Sequence, residues 1–201
     1  MVSAKAEKLL AVMRSVRLMR SVRRAAVSLL PRRWYRLPLR ECDLALTYGS
    51  LCGKYLEAIG CAVKLLQSHN LYGEVPGYPC VVDEANHWPA DIFLSIHVNA
   101  GGGRGAETYC YEQHGAGGRL AVCLQNQLVK SLAPFDAGYK DRGVKAHPSF
   151  CVLRQTAMPA VLVETGFIDS ADTQILTRHD DDIARALARG VTDYANFLAS
   201  A

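Results

Sequence analysis

Two short stretches of this chain carry proton- and metal-handling groups at the ends of apolar runs. The first is Ser95-Ile96-His97-Val98-Asn99-Ala100, which follows Ile92, Phe93 and Leu94 and precedes Gly101-Gly102-Gly103. A histidine closing a buried strand projects at a sheet edge, where its imidazole can bind a metal or move a proton; a hydrogen-bonded edge histidine would show the same pattern. The second is Pro159-Ala160-Val161-Leu162-Val163-Glu164-Thr165-Gly166-Phe167, in which four apolar residues deliver Glu164 to a strand end. A carboxylate there is costly to bury unless it is paired or used, and a loop or cap acid is its ordinary alternative. Zinc hydrolases need two or three His, Glu or Asp ligands, an open position for water and a carboxylate to take its proton. Glu41, His97 and Glu164 have that chemistry, though spacing alone does not bring them together.

The elements that would position them follow from periodicity and breakers. Residues 41–59 read as a helix with Leu44, Leu46, Leu51 and Leu56 apolar, ending at Gly60. Residues 61–66 read as a strand, 67–80 as a loop, 82–88 as a short helix and 91–97 as a buried strand. Further strands are expected at 105–112, 150–154 and 160–164, and helices at 117–132 and 180–199. Alternating strands and helices predict a single α/β domain, a three-layer sandwich with a mixed, mainly parallel sheet flanked by helices. Sites in such sheets gather at strand carboxyl ends.

Composition divides the chain. Of its 201 residues, the first 40 carry 11 of the 23 Lys/Arg and one of the 19 acids, Glu7, so the rest has a net charge of −6. Residues 1–38 read as a basic, atypical leader and 39–201 as the catalytic domain. The leader contains a near-repeat, Met13-Arg14-Ser15-Val16-Arg17-Leu18 then Met19-Arg20-Ser21-Val22-Arg23-Arg24. Arginines interrupt each of its apolar runs, so it does not match a secretory signal. It also lacks the interleaved aromatics of a nucleic-acid-binding arm, and the body is acidic, so no nucleic-acid partner is expected. No apolar run approaches the roughly 18 to 20 residues of a bilayer span, so no stable membrane insertion is expected. The seven cysteines are scattered, with no C-x-x-C pair; they read as reduced thiols and small core residues.

From about Leu39 onward the sequence resembles the zinc-dependent N-acetylmuramoyl-L-alanine amidases of the amidase 3 type. The resemblance rests on ordered pieces: Leu39-Arg40-Glu41-Cys42-Asp43-Leu44-Ala45-Leu46, residues 90–100 with Ser95-Ile96-His97-Val98-Asn99, Gly105-Ala106-Glu107-Thr108-Tyr109, Asp141-Arg142-Gly143-Val144-Lys145, and residues 158–168 around Val163-Glu164-Thr165-Gly166-Phe167. It implies a peptidoglycan hydrolase that cuts the amide between N-acetylmuramic acid and L-alanine, with Zn2+ as cofactor, Glu41 and His97 as zinc ligands and Glu164 as the catalytic carboxylate. In general zinc chemistry the metal lowers the pKa of its water and polarises the carbonyl, while the carboxylate moves the proton to the leaving nitrogen. Asn99 and Arg154 are candidate donors to the developing oxyanion, and Glu107 either is structural or lines the groove. The expected partner is peptidoglycan, the expected state a monomer, and the site of action the cell wall outside the membrane. With no signal recognised, the export route is open, and a phage or prophage lysin would fit.

One departure stands out. Members of the family open with a strand ending in a motif like Asp-Pro-Gly-His-Gly-Gly, whose histidine is the first zinc ligand, but residues 8–40 here contain no His, Cys, Asp or Glu. The first strand is not evident either, unless residues 25–30 supply it. Three explanations stay open at this level. The front end is a misread frame or wrong start joined near residues 37–40; or another histidine completes the site, with His69, His87 and His147 in or beside loops and His114 and His179 peripheral; or the protein is a degenerate amidase that binds peptidoglycan or a partner without cutting it.

Overall fold

The protein's structure is a computed structural model describing residues 24–27, 39–66, 70–88 and 90–200. In chain order its elements are β1 (Arg24–Val27), α1 (Glu41–Ala58), β2 (Ala62–Leu65), α2 (Val81–His87), β3 (Ile92–Asn99), β4 (Ala106–Cys110), α3 (Ala116–Leu132), β5 (Asp141–Ala146), α4 (Cys151–Arg154), β6 (Ala160–Phe167), α5 (Thr173–Arg178) and α6 (Asp180–Ser200). The strands form one sheet in the order β2-β1-β3-β6-β4-β5. Four neighbouring pairs are parallel and one, β4 with β6, is antiparallel. The expected single α/β domain with a mixed, mainly parallel sheet is therefore present.

β3 and β6, at the centre of the sheet, are buried along nearly their whole length. That is why they read as continuous apolar runs rather than alternating ones. The edge strands β2 and β5 are half-buried to exposed along their length. Helix α1 lies along β1, β2 and β3, α3 lies along β4, β5 and β6, and α6 packs on both helices. Ile183, Leu187 and Val191 of α6, and Leu120, Leu124, Leu128 and Leu132 of α3, repeat at helical spacing and are buried. Gly190 allows the two helices to approach closely, because a Cβ there would stand 2.7 Å from Leu124 Cα.

Several expectations are corrected. Residues 150–154 are apolar enough for a strand but form a turn and the short helix α4, with Leu153 and Arg154 amides bonded to Phe150 O. The strand on that side is instead β5, in the charged stretch Asp141-Arg142-Gly143-Val144-Lys145-Ala146; a half-exposed edge strand gains little from apolar residues and leaves a weak pattern. β1 comes from residues 24–27, inside the stretch read as a leader, and pairs with both β2 and β3. β3 and β6 also run past His97 and Glu164, to Asn99 and Phe167, so both residues lie within strands rather than at their last positions. None of the described helices is long and apolar enough to cross a membrane.

Candidate active site

His97 and Glu164 are cross-strand partners between β3 and β6, and Glu107 of β4 faces Glu164 from the other side. Side chains at the same level of neighbouring strands share a face, with Cβ atoms about 5 Å apart. His97, Glu164 and Glu107 thus form a row across three strands, toward the carboxyl ends of β3 and β6. Glu41, the first residue of α1, reaches the row from the helix terminus: its Oε1 lies 2.9 Å from His97 Nδ1 and accepts the Val98 amide at 3.4 Å. Acids are favoured in a first helical turn, where free N–H groups give a positive end, and Glu41 and Asp43 occupy it here. On the other side of the imidazole, Ser95 Oγ lies 3.0 Å from His97 Nε2. The ring is thereby gripped from both edges and is 5% exposed.

The strand ends carrying this row are shaped by a bulge. Between Glu164 and Phe167 β6 spends one residue more than β3 spends between His97 and Asn99. Gly166 takes φ 153° in that bulge, a conformation that suits glycine and re-aims the neighbouring side chains. Thr165 Oγ1 donates to His97 O at 3.1 Å, and Tyr139 OH donates to Thr165 O at 2.8 Å. Asp172, fully buried, accepts from Arg104 Nε, Gly105 N and Phe167 N at 2.9, 2.7 and 3.2 Å. Asp169 accepts from Gly101 N and Gly102 N. These two aspartates tie the loop after β3 to the end of β6. In the sequence both look like ordinary loop acids.

Glu107 is 2% exposed and saturated with donors. Oε1 accepts from Asn99 Nδ2 at 2.7 Å and Tyr109 OH at 3.1 Å; Oε2 accepts from Arg142 Nε at 2.8 Å and from Lys145 Nζ. Burial pushes this carboxyl's pKa up, but the bonds from Lys145 and Arg142 outweigh it and hold the group below the usual carboxylate range. Tyr109, partly buried and beside Glu107, is pushed up to about 12 and stays protonated. Arg142 and Lys145 come from β5, whose charged stretch carries no strand pattern, so the sequence does not show this network.

The structure gathers Glu41, His97, Glu164, Asn99 and Glu107 at one end of the sheet. Arg154 does not join them: it lines a cleft with Met158, Pro159 and Ala160 at the opposite end of β6, and the four residue steps from Ala160 to Glu164 span roughly 13 Å of strand. The alternative histidines are elsewhere too. His147 bonds through its amide to Cys110 O and stacks on Phe150 at 3.6 Å. It therefore sits at the level of Val161, three residues below Glu164. His114 is exposed in the turn between β4 and α3. His87 is exposed and bonded to Asp83 O, on a helix whose Asn86 holds Gln155 and Ala157 ahead of β6. His179 stacks on Phe135 at 3.7 Å and bonds Asp182. His69 lies outside the described residues. Among the described residues no group of three His, Cys, Asp or Glu is placed to hold a metal ion. Glu41 and His97 are two donors of zinc type, and catalytic zinc takes three from the protein, so the described residues do not by themselves fit the metal.

Fold and site together define an α/β domain whose carboxylate and imidazole meet at the carboxyl ends of central strands. Residues 35–193 match the amidase 3 model, N-acetylmuramoyl-L-alanine amidase, and the chain belongs to that family. It is 42% identical to N-acetylmuramoyl-L-alanine amidase CwlM of Bacillus licheniformis over 117 residues, covering 58% of this chain and 43% of that protein. It is 37% identical to the endolysin of Bacillus phage SPP1 over 145 residues, 67% of this chain and 50% of the endolysin. The chain thus spans about half the length, or less, of these two relatives. Among solved structures it resembles N-acetylmuramoyl-L-alanine amidase AmiC2 of Nostoc punctiforme, with TM-score 0.64, 28% identity, and coverage of 84% of this chain and 96% of that one.

Proposed function

We propose that this chain is the amide-cleaving domain of a peptidoglycan hydrolase, acting on the bond between N-acetylmuramic acid and L-alanine, with Glu164 as the proton-transferring carboxylate. The observation that carries the reading is the cross-strand pairing of His97 with Glu164, beside Glu41, in a chain of this family. Glu164 is half-buried at the open end of the sheet, where a carboxylate can take a proton from an attacking water and return it to the departing amine. His97, held by Glu41 and Ser95, presents a fixed ring next to it. The relatives named as amidases and as an endolysin support action on the cell wall. Glu41 and His97 would supply two of the donors that a zinc ion needs. Glu164→Gln should lower release of stem peptides from purified walls at least about 100-fold, the usual share of general acid–base catalysis, with an unchanged melting temperature. Retained activity would remove Glu164 from the role.

A second reading, a domain that binds peptidoglycan without cutting it, is favoured by the two-donor set. Metal analysis of the purified protein, together with wall digestion, separates the two. About one zinc per chain with turnover supports the hydrolase; wall binding without metal or turnover supports the binding domain.

A further inference from the structure

We infer that Arg142 and Lys145 form a carboxylate-binding subsite on the peptide side of the His97–Glu164–Glu107 row, reading an acidic residue of the stem peptide; this rests on the peptidoglycan reading above. The charge balance points there. Glu107 brings one negative charge and its side chain is 3% exposed, whereas Arg142 and Lys145 bring two positive charges and are 35% and 40% exposed. The buried carboxylate anchors both cations and leaves one positive charge facing solvent.

The two cations are held with donors to spare. Among the described residues, Arg142 hydrogen-bonds only through Nε, to Glu107 Oε2 at 2.8 Å, and its guanidinium lies over the Phe167 ring at 4.8 Å. A guanidinium fixed by one edge and one face keeps its terminal amino groups in a preset fork, the geometry that takes a carboxylate with two hydrogen bonds. Lys145 bonds Glu107 with one of three donors and stands 5.7 Å from the Tyr109 ring. Their strand, β5, is two places from β6 in the sheet, about 10 Å at ordinary strand spacing. At roughly 3.5 Å per extended residue, a peptide leaving Glu164 across this face brings its second or third residue to the pair. The nearby carboxylates of Glu164 and Glu41 would repel a multiply charged anion, so the single charge and planar shape of a carboxylate suit the position better than a phosphate.

Calorimetric titration of the full chain with two soluble muramoyl tripeptides tests this. One carries a free α-carboxylate on its second residue and the other a carboxamide there. The acid should bind about tenfold more tightly than the amide, the worth of one charge-assisted contact. Lys145→Met and Arg142→Gln should each erase most of that preference, and Lys145→Arg should keep it. Equal binding of the two peptides by the wild-type chain, a test that needs no variant, overturns the subsite, as does a preference that survives in both charge-removing variants. Absence of binding by either peptide also overturns it. Wall digestion measured in parallel shows whether the peptidoglycan reading stands independently.

Discussion

At the scale of single residues, three carboxylates converge and each is held differently. Glu41 is tied to His97 and a backbone amide, Glu164 sits between two strands, and Glu107 is locked by four donors. Because Glu107 has a folded pKa below its unfolded one, its contribution to stability is present above the ordinary carboxylate range and is lost as pH falls through the folded value. Thermal melts of the wild type should therefore show stability declining below about pH 4.3, the free glutamate value, and Glu107→Gln should melt lower at pH 7 with a flatter decline. Identical acid profiles for the two proteins would remove Glu107 from that account. The thiols are another residue-scale matter. All seven cysteines are free; burial pushes Cys61 up to about 12 and Cys52 further. In native protein at pH 7.5 these two should resist thiol reagents that modify the half-exposed Cys80, Cys123 and Cys151, with mass spectrometry as the readout. His97 and Glu164 stand out in the sequence because apolar runs lead into them, and Glu41 through the family resemblance of residues 39–46. Glu107, two residues into an ordinary strand, gave no sign of its four partners, which come from β3, β4 and β5.

At the scale of elements, the site depends on a bulge, and the packing of α6 on α3 depends on a close helix contact. The extra residue at the end of β6 turns the chain after Glu164, and Gly166 makes that turn at φ 153°. A side chain there would be strained and would press on Leu176 and Asp172 at about contact distance. On the far side, Gly190→Ala would drive a methyl group against the Leu124 backbone; separating α6 from α3 should cost roughly 1–3 kcal/mol, the usual penalty for overpacking, measured by denaturant unfolding. An unchanged midpoint would mean that α6 shifts freely. The central strands were legible because burial on both faces demands unbroken apolar runs. β5 was not, because an exposed edge strand interrupted by Gly143 meets no such demand, and the apolar residues 150–154 imitated the strand it replaced.

At the scale of the whole molecule, Asp172 joins segments far apart in sequence: Arg104 and Gly105 after β3, Phe167 at the end of β6, and through Arg104 also Asp136. Asp172→Ala would strand buried amides and should cost about 3 kcal/mol while loosening the site's rim, visible as a lower melting temperature and faster amide exchange at residues 101–105. Unaltered exchange there would confine Asp172 to a local role. The sequence by itself determined the α/β class, the central strands β3 and β6 and the helices α1, α2, α3 and α6, because periodicity and burial act locally along a chain, and it marked Glu41, His97 and Glu164 as candidates. The tertiary structure decided that β1 lies between β2 and β3, that His97, Glu164 and Glu107 share one level, and that Arg154 and the four alternative histidines described stand away from it. Those are matters of strand order, direction and register, set by how distant segments pack together, and no local pattern encodes them.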